Sequence, residues 1–419
     1  MKLNDQRLRT LLIGTNKFGI TDTLISRRDL QVTVLTEPWY AEAYRDRGFS
    51  DVQVVSRITD LTEVLRVVTP LMQDSPFGAV LAPSERSVQI AAFLRSRYGI
   101  PGTSFDVAVR FTAKHVMKSC FANAGLPITD FATVYGLGEL RDTVSRMGAP
   151  LIVKPSLGTG TRGAVVLSSD LDVKRFLEEP PKELCEPDPA AVVERFLTVS
   201  AEFHIDGLVT DGTTRFLSVA QYGKPLIRRS PAEPLCTKLL SEDHPLRTVL
   251  SDLHDLSVRA LGLPHGITHL EVLQTTGGQL VVGEIACRPG GGSIVPLLDR
   301  AYGIDLWDLF IDVEAGLPVN TKCLPTSPKQ NIALCMLSVA AGRVESVTTA
   351  QTLMTIPGVI EATVQVIPGQ VLGPRFTSSS QAGYVLIEPS AERPFEAVLH
   401  DINNSWHLEL VDDATEGAQ

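Results

Sequence analysis

The sequence predicts an α/β fold that becomes α+β in its later part, and three observations lead to this prediction. Residues 9–112 alternate apolar strand-like runs with helical stretches, which is the order of a small parallel sheet. Two β-rich runs flank Gly277-Gly278 and predict a hairpin. From Val319 onward, β-rich sequence is punctuated by Gly and Pro, which predicts a separate C-terminal lobe. A chain of 419 residues is long enough for roughly two to four domains.

Composition excludes several classes of function. A net charge of −10 argues against non-specific nucleic-acid binding, which needs a basic surface. The first residues lack a secretory apolar region, and the chain has no run of about 18 or more apolar residues. We therefore expect a cytoplasmic protein that acts on small molecules, without nucleic-acid or membrane partners. The cysteines are scattered without a C-x-x-C pair, which favours free thiols over a zinc site.

The N-terminal domain is predicted from strands and helices in alternation. These elements are expected at Leu11–Gly14, Gln31–Thr36, Thr62–Met72, Gly78–Pro83 and Glu85–Tyr98. The segment Gly14–Gly19 follows the first strand, as a dinucleotide-binding loop would, but it does not fit G-x-G-x-x-G. We therefore do not predict that the chain binds a nicotinamide cofactor.

The middle of the chain frames a glycine-rich loop. A helix over Thr112–Asn123 is closed by Gly125-Leu126-Pro127, which is typical of a helix end. The strand Pro150–Pro155 leads into Ser156–Gly163, which contains three glycines. Further along we expect a strand pair and a helix, over Ala201–Gly223 (turning at Asp211-Gly212) and over His244–Gly262.

Glu271 and Glu284 lie on the two strands of the predicted hairpin. With Gly277-Gly278 as a two-residue turn, Glu271 stands directly opposite Glu284, and their Cβ atoms are about 5 Å apart on one face. Two carboxylates so placed repel each other, and a cation between them removes that cost. Mg²⁺ suits such a site, because it takes oxygen ligands and completes its shell with water and substrate phosphates. The alternative is a pair of solvated surface glutamates.

Arg288 follows Glu284 by four residues, on the same face if the strand continues. The three glycines of Gly290–Gly292 then allow the backbone to approach a ligand closely. Two acids, an arginine and a glycine loop together indicate a site for metal-bound phosphate. The alternatives are a surface arginine and an ordinary loop.

Lysines and further acids point to a nucleotide. Lys154 ends the strand before the glycine loop, whose backbone amides suit phosphate binding. This loop is not a Walker A motif, because no Gly-Lys-Ser/Thr follows, and a surface hairpin is the alternative. Lys114 and Lys118 lie one helical turn apart, so both could face the same way. The alternative is a solvated helix face. Glu194 and Glu202 bracket a short segment that connects two lobes.

The order of these motifs resembles the ATP-grasp family over roughly residues 75–300. Val153-Lys154-Pro155-Ser156 resembles D-alanine–D-alanine ligase, as does Lys114 eleven residues before Gly125-Leu126-Pro127. The run from Glu284 to Gly291 is similar to bacterial L-amino acid ligases and related carboxylate–amine ligases. The resemblance implies an ATP-grasp fold in four units: a Rossmann-like N-terminal domain (1–112), a lid (113–199), a core with the metal site (200–318) and a β-rich lobe (319–419).

The resemblance also implies roles for the matching residues. The phosphates of ATP would be bound by Lys114 and Lys154 and by the loop residues Ser156, Gly158, Thr159, Gly160 and Gly163. Adenine would be bound by Glu194 and the backbone up to Leu197, and the ribose by Glu202. Mg²⁺, or Mn²⁺ in its place, would be bound by Glu271 and Glu284, and the catalytic groups would be Arg288 and Lys154. Substrate contacts are expected from Glu85, His204, His269, Arg288, Gly290 and Gly291.

Two positions depart from the family pattern. Ala286 stands where the family usually has an asparagine as a further metal ligand. Glu202 lies one residue farther from Glu194 than in D-alanine–D-alanine ligase, which weakens the ribose assignment.

The implied activity is that of an ADP-forming carboxylate–amine ligase. ATP phosphorylates a carboxylate, and an amine then attacks the acyl phosphate to give an amide and phosphate. A dipeptide-forming L-amino acid ligase is the leading expectation. The alternatives are transfer of the amino acid to another small amine or to a carrier-protein thiol in specialised metabolite biosynthesis, and a non-catalytic nucleotide-binding protein. Carboxylation of a substrate is disfavoured, because Arg288-Pro289 is not followed by His-Asn or His-Asp.

The resemblance also implies a possible homodimer, since many relatives are dimers.

Overall fold

The N-terminal part of the chain forms a parallel sheet flanked by helices. The structure is a computed structural model that describes residues 7–158, 160, 162–181, 184, 190–373 and 380–411. The N-terminal strands are β1 (Leu8–Ile13), β2 (Leu30–Thr36), β3 (Val52–Val54) and β4 (Ala79–Leu81), in the order β3-β2-β1-β4. The helices of this part are α1 (Thr21–Ser26), α2 (Pro38–Asp46), α3 (Leu61–Asp74), α4 (Glu85–Tyr98) and α5 (Phe105–Thr112). The predicted parallel sheet is therefore confirmed.

Local sequence signals explain where these helices begin and end. The carboxylate of Asp60 accepts hydrogen bonds from the amides of Thr62 and Glu63, so α3 begins with a capped N-terminus. Helix α4 begins after a Ser84 capping box and ends at Gly99, whose left-handed φ of 68° few other residues tolerate. Strand β3 was not predicted from the sequence, and its three residues are half-buried or exposed.

A small antiparallel sheet follows with a hydrophobic core of its own. It contains β5 (Phe131–Val134), β6 (Leu151–Pro155), β7 (Val165–Leu167) and β8 (Ala191–Arg195), in the order β5-β8-β6-β7. The accompanying helices are α6 (Lys114–Asn123), α7 (Leu137–Met147) and α8 (Asp170–Glu178). The core between α7, α8 and this sheet is separate from the other apolar clusters. Residues 196–198 join it to the next strand.

The central sheet continues the chain on the other side of that connection. Its first strands and helix are β9 (Val199–Thr210), β10 (Thr213–Tyr222), β11 (Leu235–Leu239), α9 (Arg247–Leu261), β12 (Gly266–Thr275) and β13 (Leu280–Ala286). The predicted turn between β9 and β10 is confirmed, since Asp211 and Gly212 have φ values of 52° and 65°. The predicted helix before the hairpin is also present, as α9.

The remaining elements extend this sheet and add a smaller one. They are α10 (Ile294–Leu298), α11 (Leu306–Glu314), β14 (Ala333–Leu337), β15 (Gly342–Val347), α12 (Ala350–Met354), β16 (Val359–Val364), β17 (Val371–Leu372), β18 (Gly383–Ile387), α13 (Phe395–Ser405) and β19 (Leu408–Val411). Within the described residues the central sheet has the order β13-β12-β9-β10-β11-β14-β18-β16, and the smaller sheet β17-β15-β19. The predicted boundary at 318/319 lies between β13 and β14. None of the helices in the described ranges combines the length and apolar character that a bilayer crossing requires.

The hairpin of β12 and β13 confirms the predicted pairing of Glu271 with Glu284, but its turn differs from the prediction. Gln274 pairs with Leu280, and the Thr275 amide donates to Gln279, so the loop has three residues, 276–278, instead of two. Gly278 has a φ of +83°, whereas Gly277 does not have a positive φ.

A bulge at Gly283 restores the register. Val272 pairs with Val282, not with Gly283 as the two-residue turn requires. A Cβ at position 283 would lie 3.1 Å from the Glu271 carbonyl oxygen, so the bulge needs glycine there. The extra loop residue and the bulge compensate each other, and the two glutamates end up opposite one another.

Candidate active site

One cleft brings together most of the residues singled out from the sequence. It lies between the central sheet, the small antiparallel sheet and the N-terminal part of the chain. Its lining includes Glu85, Lys114, Lys154, Gly158, Gly160, Glu194, Leu197, Glu202, His269, Glu271, Glu284, Arg288 and Gly291. Four predicted residues lie outside the lining: Ser156, Gly163, His204 and Gly290. Thr159 lies outside the described residues.

The two opposed glutamates face cationic side chains in the cleft. The Lys114 Nζ lies 3.2 Å from Glu284 Oε2, and the His269 Nε2 lies 3.6 Å from Glu271 Oε1. Burial raises the pKa of Glu284, but Lys114 and Lys154 together outweigh it and lower the pKa below the ordinary value. Both acids keep part of their surface exposed, 22% for Glu271 and 39% for Glu284. An anionic, oxygen-only pair open to the cleft fits a divalent cation such as Mg²⁺.

No third oxygen ligand comes from position 286. Ala286 lines the cleft and pairs with His269 across the hairpin. A metal held by Glu271 and Glu284 would therefore take its further ligands from water and substrate.

Glu194 forms a buried charge cluster with two lysines. Its carboxylate lies 3.3 Å from the Lys118 Nζ and 3.0 Å from the Lys154 Nζ, and the side chains of Glu194 and Lys118 are 4% exposed. Burial raises the pKa of Glu194, but the two lysines outweigh it and hold the pKa at about 2. The Glu194 carboxylate is therefore ionised and directed at the lysines. Its neighbour Leu197 lies in the connection between the two sheets and lines the cleft.

Lys118 was not among the predicted site residues. The signal for it was its position one helical turn after Lys114 on α6, which places both ammonium groups in the cleft. Its Nζ also lies 3.4 Å from the Val282 carbonyl oxygen, so it links α6 to the hairpin.

The glycine loop is anchored on the first turn of α6. The Lys114 Nζ donates to the Gly158 carbonyl at 2.7 Å. The Ser156 hydroxyl is hydrogen-bonded to His115 at 2.5 Å and is buried, so it holds the loop and does not face the cleft. Gly160 and Gly163 have φ values of +58° and +70°. Glycine adopts such positive φ values at low cost, and a glycine-rich backbone of this kind can approach an anion closely.

Glu202 is buried on β9 beside the acidic pair. The Leu226 amide donates to its carboxyl at 2.8 Å. Burial and the charge of Glu271 raise the pKa of Glu202 to about 8. The carboxyl therefore binds a proton more readily than an ordinary glutamate, and it lines the cleft where a ligand hydroxyl could contact it.

Arg288 connects the hairpin to the N-terminal part of the chain. Its Nε donates to Glu85 at the start of α4 at 2.9 Å, and its Nη1 donates to the Pro289 carbonyl. Lys17, in the loop after β1, faces the same pair. Burial and Arg288 lower the pKa of Lys17 to about 8, while Glu85 opposes them. Lys17 was not predicted as a site residue, although it lies in the segment Gly14–Gly19 that follows the first strand as a dinucleotide-binding loop would.

A buried hydrogen-bonded network leads from the sheet to Glu271. The His204 Nε2 lies 2.8 Å from the Thr237 hydroxyl, and its Nδ1 lies 2.6 Å from Asp206. The second oxygen of Asp206 lies 2.8 Å from the His269 Nδ1. Burial lowers the pKa of His269, but Asp206 and Glu271 outweigh it and raise the pKa to about 9. The ring is therefore cationic at neutral pH and holds Glu271 through its other nitrogen.

The loop after Arg288 packs on this network. A Cβ at Gly290 would lie 2.9 Å from the His269 Nδ1 and 3.1 Å from an Asp206 oxygen. His204, Asp206 and His269 could also hold a metal by their spacing, since their ligand atoms lie within 4.8 Å of one another. Their mutual hydrogen bonds already satisfy them, so we interpret the group as a positioning network.

Replacing Asp206 with asparagine is expected to weaken metal binding at Glu271 by about 10- to 100-fold. The substitution removes the charge that holds His269, and His269 in turn holds Glu271. Mn²⁺ binding measured by paramagnetic resonance, without any substrate, would test this. Asp255→Asn is the matched control, because Asp255 also contacts a histidine, His254, but does not line the cleft. Equal Mn²⁺ affinity for Asp206→Asn and the unmodified chain would contradict the positioning role.

No protein-family model matches the chain. Comparison with known proteins finds relatives that are named as ligases acting on amino acids. The chain is 27% identical to the L-arginine-specific L-amino acid ligase of Bacillus subtilis, over 97% of this chain and 98% of the relative. It is 24% identical to the alanine–anticapsin ligase of Bacillus subtilis (strain 168), over 66% of this chain and 61% of the relative.

Solved structures agree with these relatives at the level of the fold. The L-amino acid ligase from Bacillus licheniformis has a TM-score of 0.77 and 19% identity, covering 98% of this chain and 100% of that one. A carboxyaminoimidazole ribonucleotide synthase from an Aspergillus, complexed with ATP, has a TM-score of 0.72 and 14% identity, covering 96% and 99%. These similarities confirm the ATP-grasp fold predicted from the sequence.

Proposed function

We propose that this chain, which belongs to the ATP-grasp carboxylate–amine ligases, activates an amino acid as an acyl phosphate and joins it to an amine. The observation that carries the proposal is the arrangement of Glu271 and Glu284, directly opposed, in one cleft with Lys114, Lys154 and Arg288. Two acids for a cation and three fixed positive charges are what transfer of a phosphoryl group requires.

The first half-reaction transfers phosphate. A carboxylate oxygen of the substrate attacks the terminal phosphorus of ATP, and the bond from that phosphorus to the ADP oxygen breaks. Mg²⁺ at Glu271 and Glu284 would supply positive charge against the phosphate oxygens. Lys114 and Lys154 would bind the same oxygens. Lys114 is also paired with Glu284, so binding of MgATP would exchange this ion pair for lysine–phosphate and carboxylate–metal contacts.

The second half-reaction forms the amide. The amine attacks the acyl carbon, the bond from that carbon to the phosphate oxygen breaks, and the nitrogen loses one proton. Arg288 would balance the charge on the departing phosphate. Its hydrogen bond to Glu85 keeps it pointing at the junction of the two parts of the chain.

An amino acid is the carboxylate substrate that the chemistry of the cleft favours. Glu85 and Arg288 are paired with each other in the cleft, and the ammonium and carboxylate groups of an amino acid match this pair in charge, so they could exchange with it. The names of the two curated relatives, an L-amino acid ligase and an alanine–anticapsin ligase, support the same class of substrate. A dipeptide is therefore our proposed product.

We further propose that residues 113–199 act as a lid. Its antiparallel sheet, α7 and α8 share a core of their own, whereas Met117 and Phe121 of α6 belong to the main core. Residues 196–198 join the segment to the central sheet. Closure would exclude water, which otherwise hydrolyses an acyl phosphate.

A screen for ADP release over pairs of amino acids tests the proposed function. We expect release that needs ATP, Mg²⁺ or Mn²⁺, one amino acid as acid and a second as amine, with a dipeptide found by mass spectrometry. Release with a small amine or a carrier-protein thiol, but not with any second amino acid, would replace the dipeptide with the alternative acceptors. If the chain binds MgATP but releases no ADP with any carboxylate, it is a non-catalytic nucleotide-binding protein.

A further inference from the structure

Cys236 on β11 and Cys335 on β14 stand directly opposite each other. The two strands are antiparallel, and these residues are paired in the register. The Cys335 thiol lowers the pKa of Cys236, and Cys236 in turn raises the pKa of Cys335. Directly opposed residues on antiparallel strands have Cα atoms about 4.5–5.5 Å apart, which lies within the range that a disulfide spans. The register therefore brings the two residues within the separation that a disulfide spans.

The side chains of the pair pack in a different apolar core from those of their strand neighbours. Side chains alternate along a strand, and the neighbours Leu235, Leu334 and Met336 belong to the apolar cluster on the cleft side. Cys236 and Cys335 belong instead to the core beneath α12 and α13. Cys236 itself borders the cleft, but both thiols pack in the core beneath α12 and α13.

The two thiols have unequal surroundings. Cys236 is 8% exposed, and Cys335 is fully buried. The hydrogen bond from Cys335 lowers the pKa of Cys236, with a further contribution from Lys238 and Lys224, although burial opposes it. The same hydrogen bond and burial raise the pKa of Cys335. Both thiols are buried, and of the two Cys236 is the one with positive surroundings, which favour reaction with a peroxide.

We propose that Cys236 is an oxidation site for a peroxide and that Cys335 resolves it into a reversible disulfide between β11 and β14. The Cys236 thiolate attacks the peroxide, an S–O bond forms and the O–O bond breaks. Hydrogen peroxide thereby gives a sulfenic acid and hydroxide. The Cys335 sulfur then attacks the Cys236 sulfur, the S–O bond breaks, and hydroxide leaves with the Cys335 proton as water. Two thiols are oxidised, and one peroxide is reduced to two waters.

The disulfide would tie the proposed C-terminal lobe to the core. Strand β11 precedes the hairpin of the two glutamates, whereas β14 begins the part of the sheet that follows residue 318. A bond between them closes a long loop in the unfolded chain, and such closure favours the folded state. Oxidation is therefore expected to raise resistance to unfolding.

The experiment treats the full chain with hydrogen peroxide and compares it before and after reduction with dithiothreitol. We expect a peptide that contains the Cys236–Cys335 link, a loss of two hydrogen atoms in the intact mass, and a higher urea midpoint that returns on reduction. Cys335→Ala should form no link and show no midpoint shift, and its Cys236 should react with dimedone, a sulfenic-acid trap. A double variant, Cys120→Ser with Cys323→Ser, should behave as the unmodified chain, because both replaced thiols lie outside the pair.

Two outcomes would overturn the proposal. One is oxidation of Cys120 or Cys323 in the folded chain without a Cys236–Cys335 peptide. The other is an equal midpoint shift in Cys335→Ala. Both readouts are independent of any ligase substrate, so they stand or fall separately from the proposed function. ADP release after oxidation checks that the cleft is intact.

Discussion

Replacing Glu284 with glutamine is expected to lower ATP-dependent turnover by at least about 10²- to 10³-fold, the scale on which removal of one stabilising charge or donor acts. The substitution keeps the shape of the side chain, but it removes the negative charge of Glu284, which is one of the two charges in the opposed pair with Glu271. The metal then loses a ligand, and no oxygen at position 286 can replace it, because that residue is Ala286. ADP release with the substrates found in the screen measures the effect.

The controls separate loss of the metal from loss of the fold. Glu345→Gln on β15 removes an equally charged but exposed side chain outside the cleft and should leave turnover unchanged. In Glu284→Gln the Mn²⁺ affinity should fall together with turnover, whereas the urea midpoint should stay near that of the unmodified chain, since the Lys114–Glu284 pair is partly exposed. Near-normal turnover in Glu284→Gln would refute the metal assignment.

The opposed glutamates also show how far sequence reasoning reaches. The Gly-Gly signal predicted a hairpin at the right place, but it could not give the length of the loop, because one or both glycines can take the left-handed conformation. Gly283 carried the missing information. A glycine inside a β-run can mark a bulge, and here the bulge restores the register that the three-residue loop shifts.

Residues whose role depends on strand order were harder to predict. His204 and Asp206 are two positions apart on β9, so their shared face was readable, but their contact with His269 needs β9 and β12 to be neighbours. Lys17 is near enough to Arg288 for that charge to lower its pKa, although the two residues are 271 positions apart in the sequence. The Cys236–Cys335 pair likewise depends on β14 lying next to β11, which no local pattern specifies.

Removing the carboxylate of Glu194 is expected to destabilise the chain by about 3–5 kcal/mol, because it leaves Lys118 buried and without its anion. Glu194→Gln keeps the size of the side chain, so the effect reports charge. Urea unfolding measures it, with Glu233→Gln as the control. Glu233 pairs with Lys224 on the surface, and its loss should cost no more than about 1 kcal/mol. Lys118→Met added to Glu194→Gln should recover part of the lost stability, since it removes the unpaired cation.

The same cluster predicts how acid affects stability. Glu194 has a folded pKa of about 2 against an ordinary value of 4.5, because Lys154 and Lys118 outweigh its burial. A lowered pKa means that the folded state binds the proton less readily than the unfolded state. The contribution, about 3 kcal/mol, is therefore fully present above pH 4.5 and is lost as the pH falls towards 2. Glu194→Gln lacks it, so its unfolding free energy should fall less steeply over that window. If the unfolding free energies of the unmodified chain and of Glu194→Gln fall equally as the pH is lowered, Glu194 is not held ionised by the lysines.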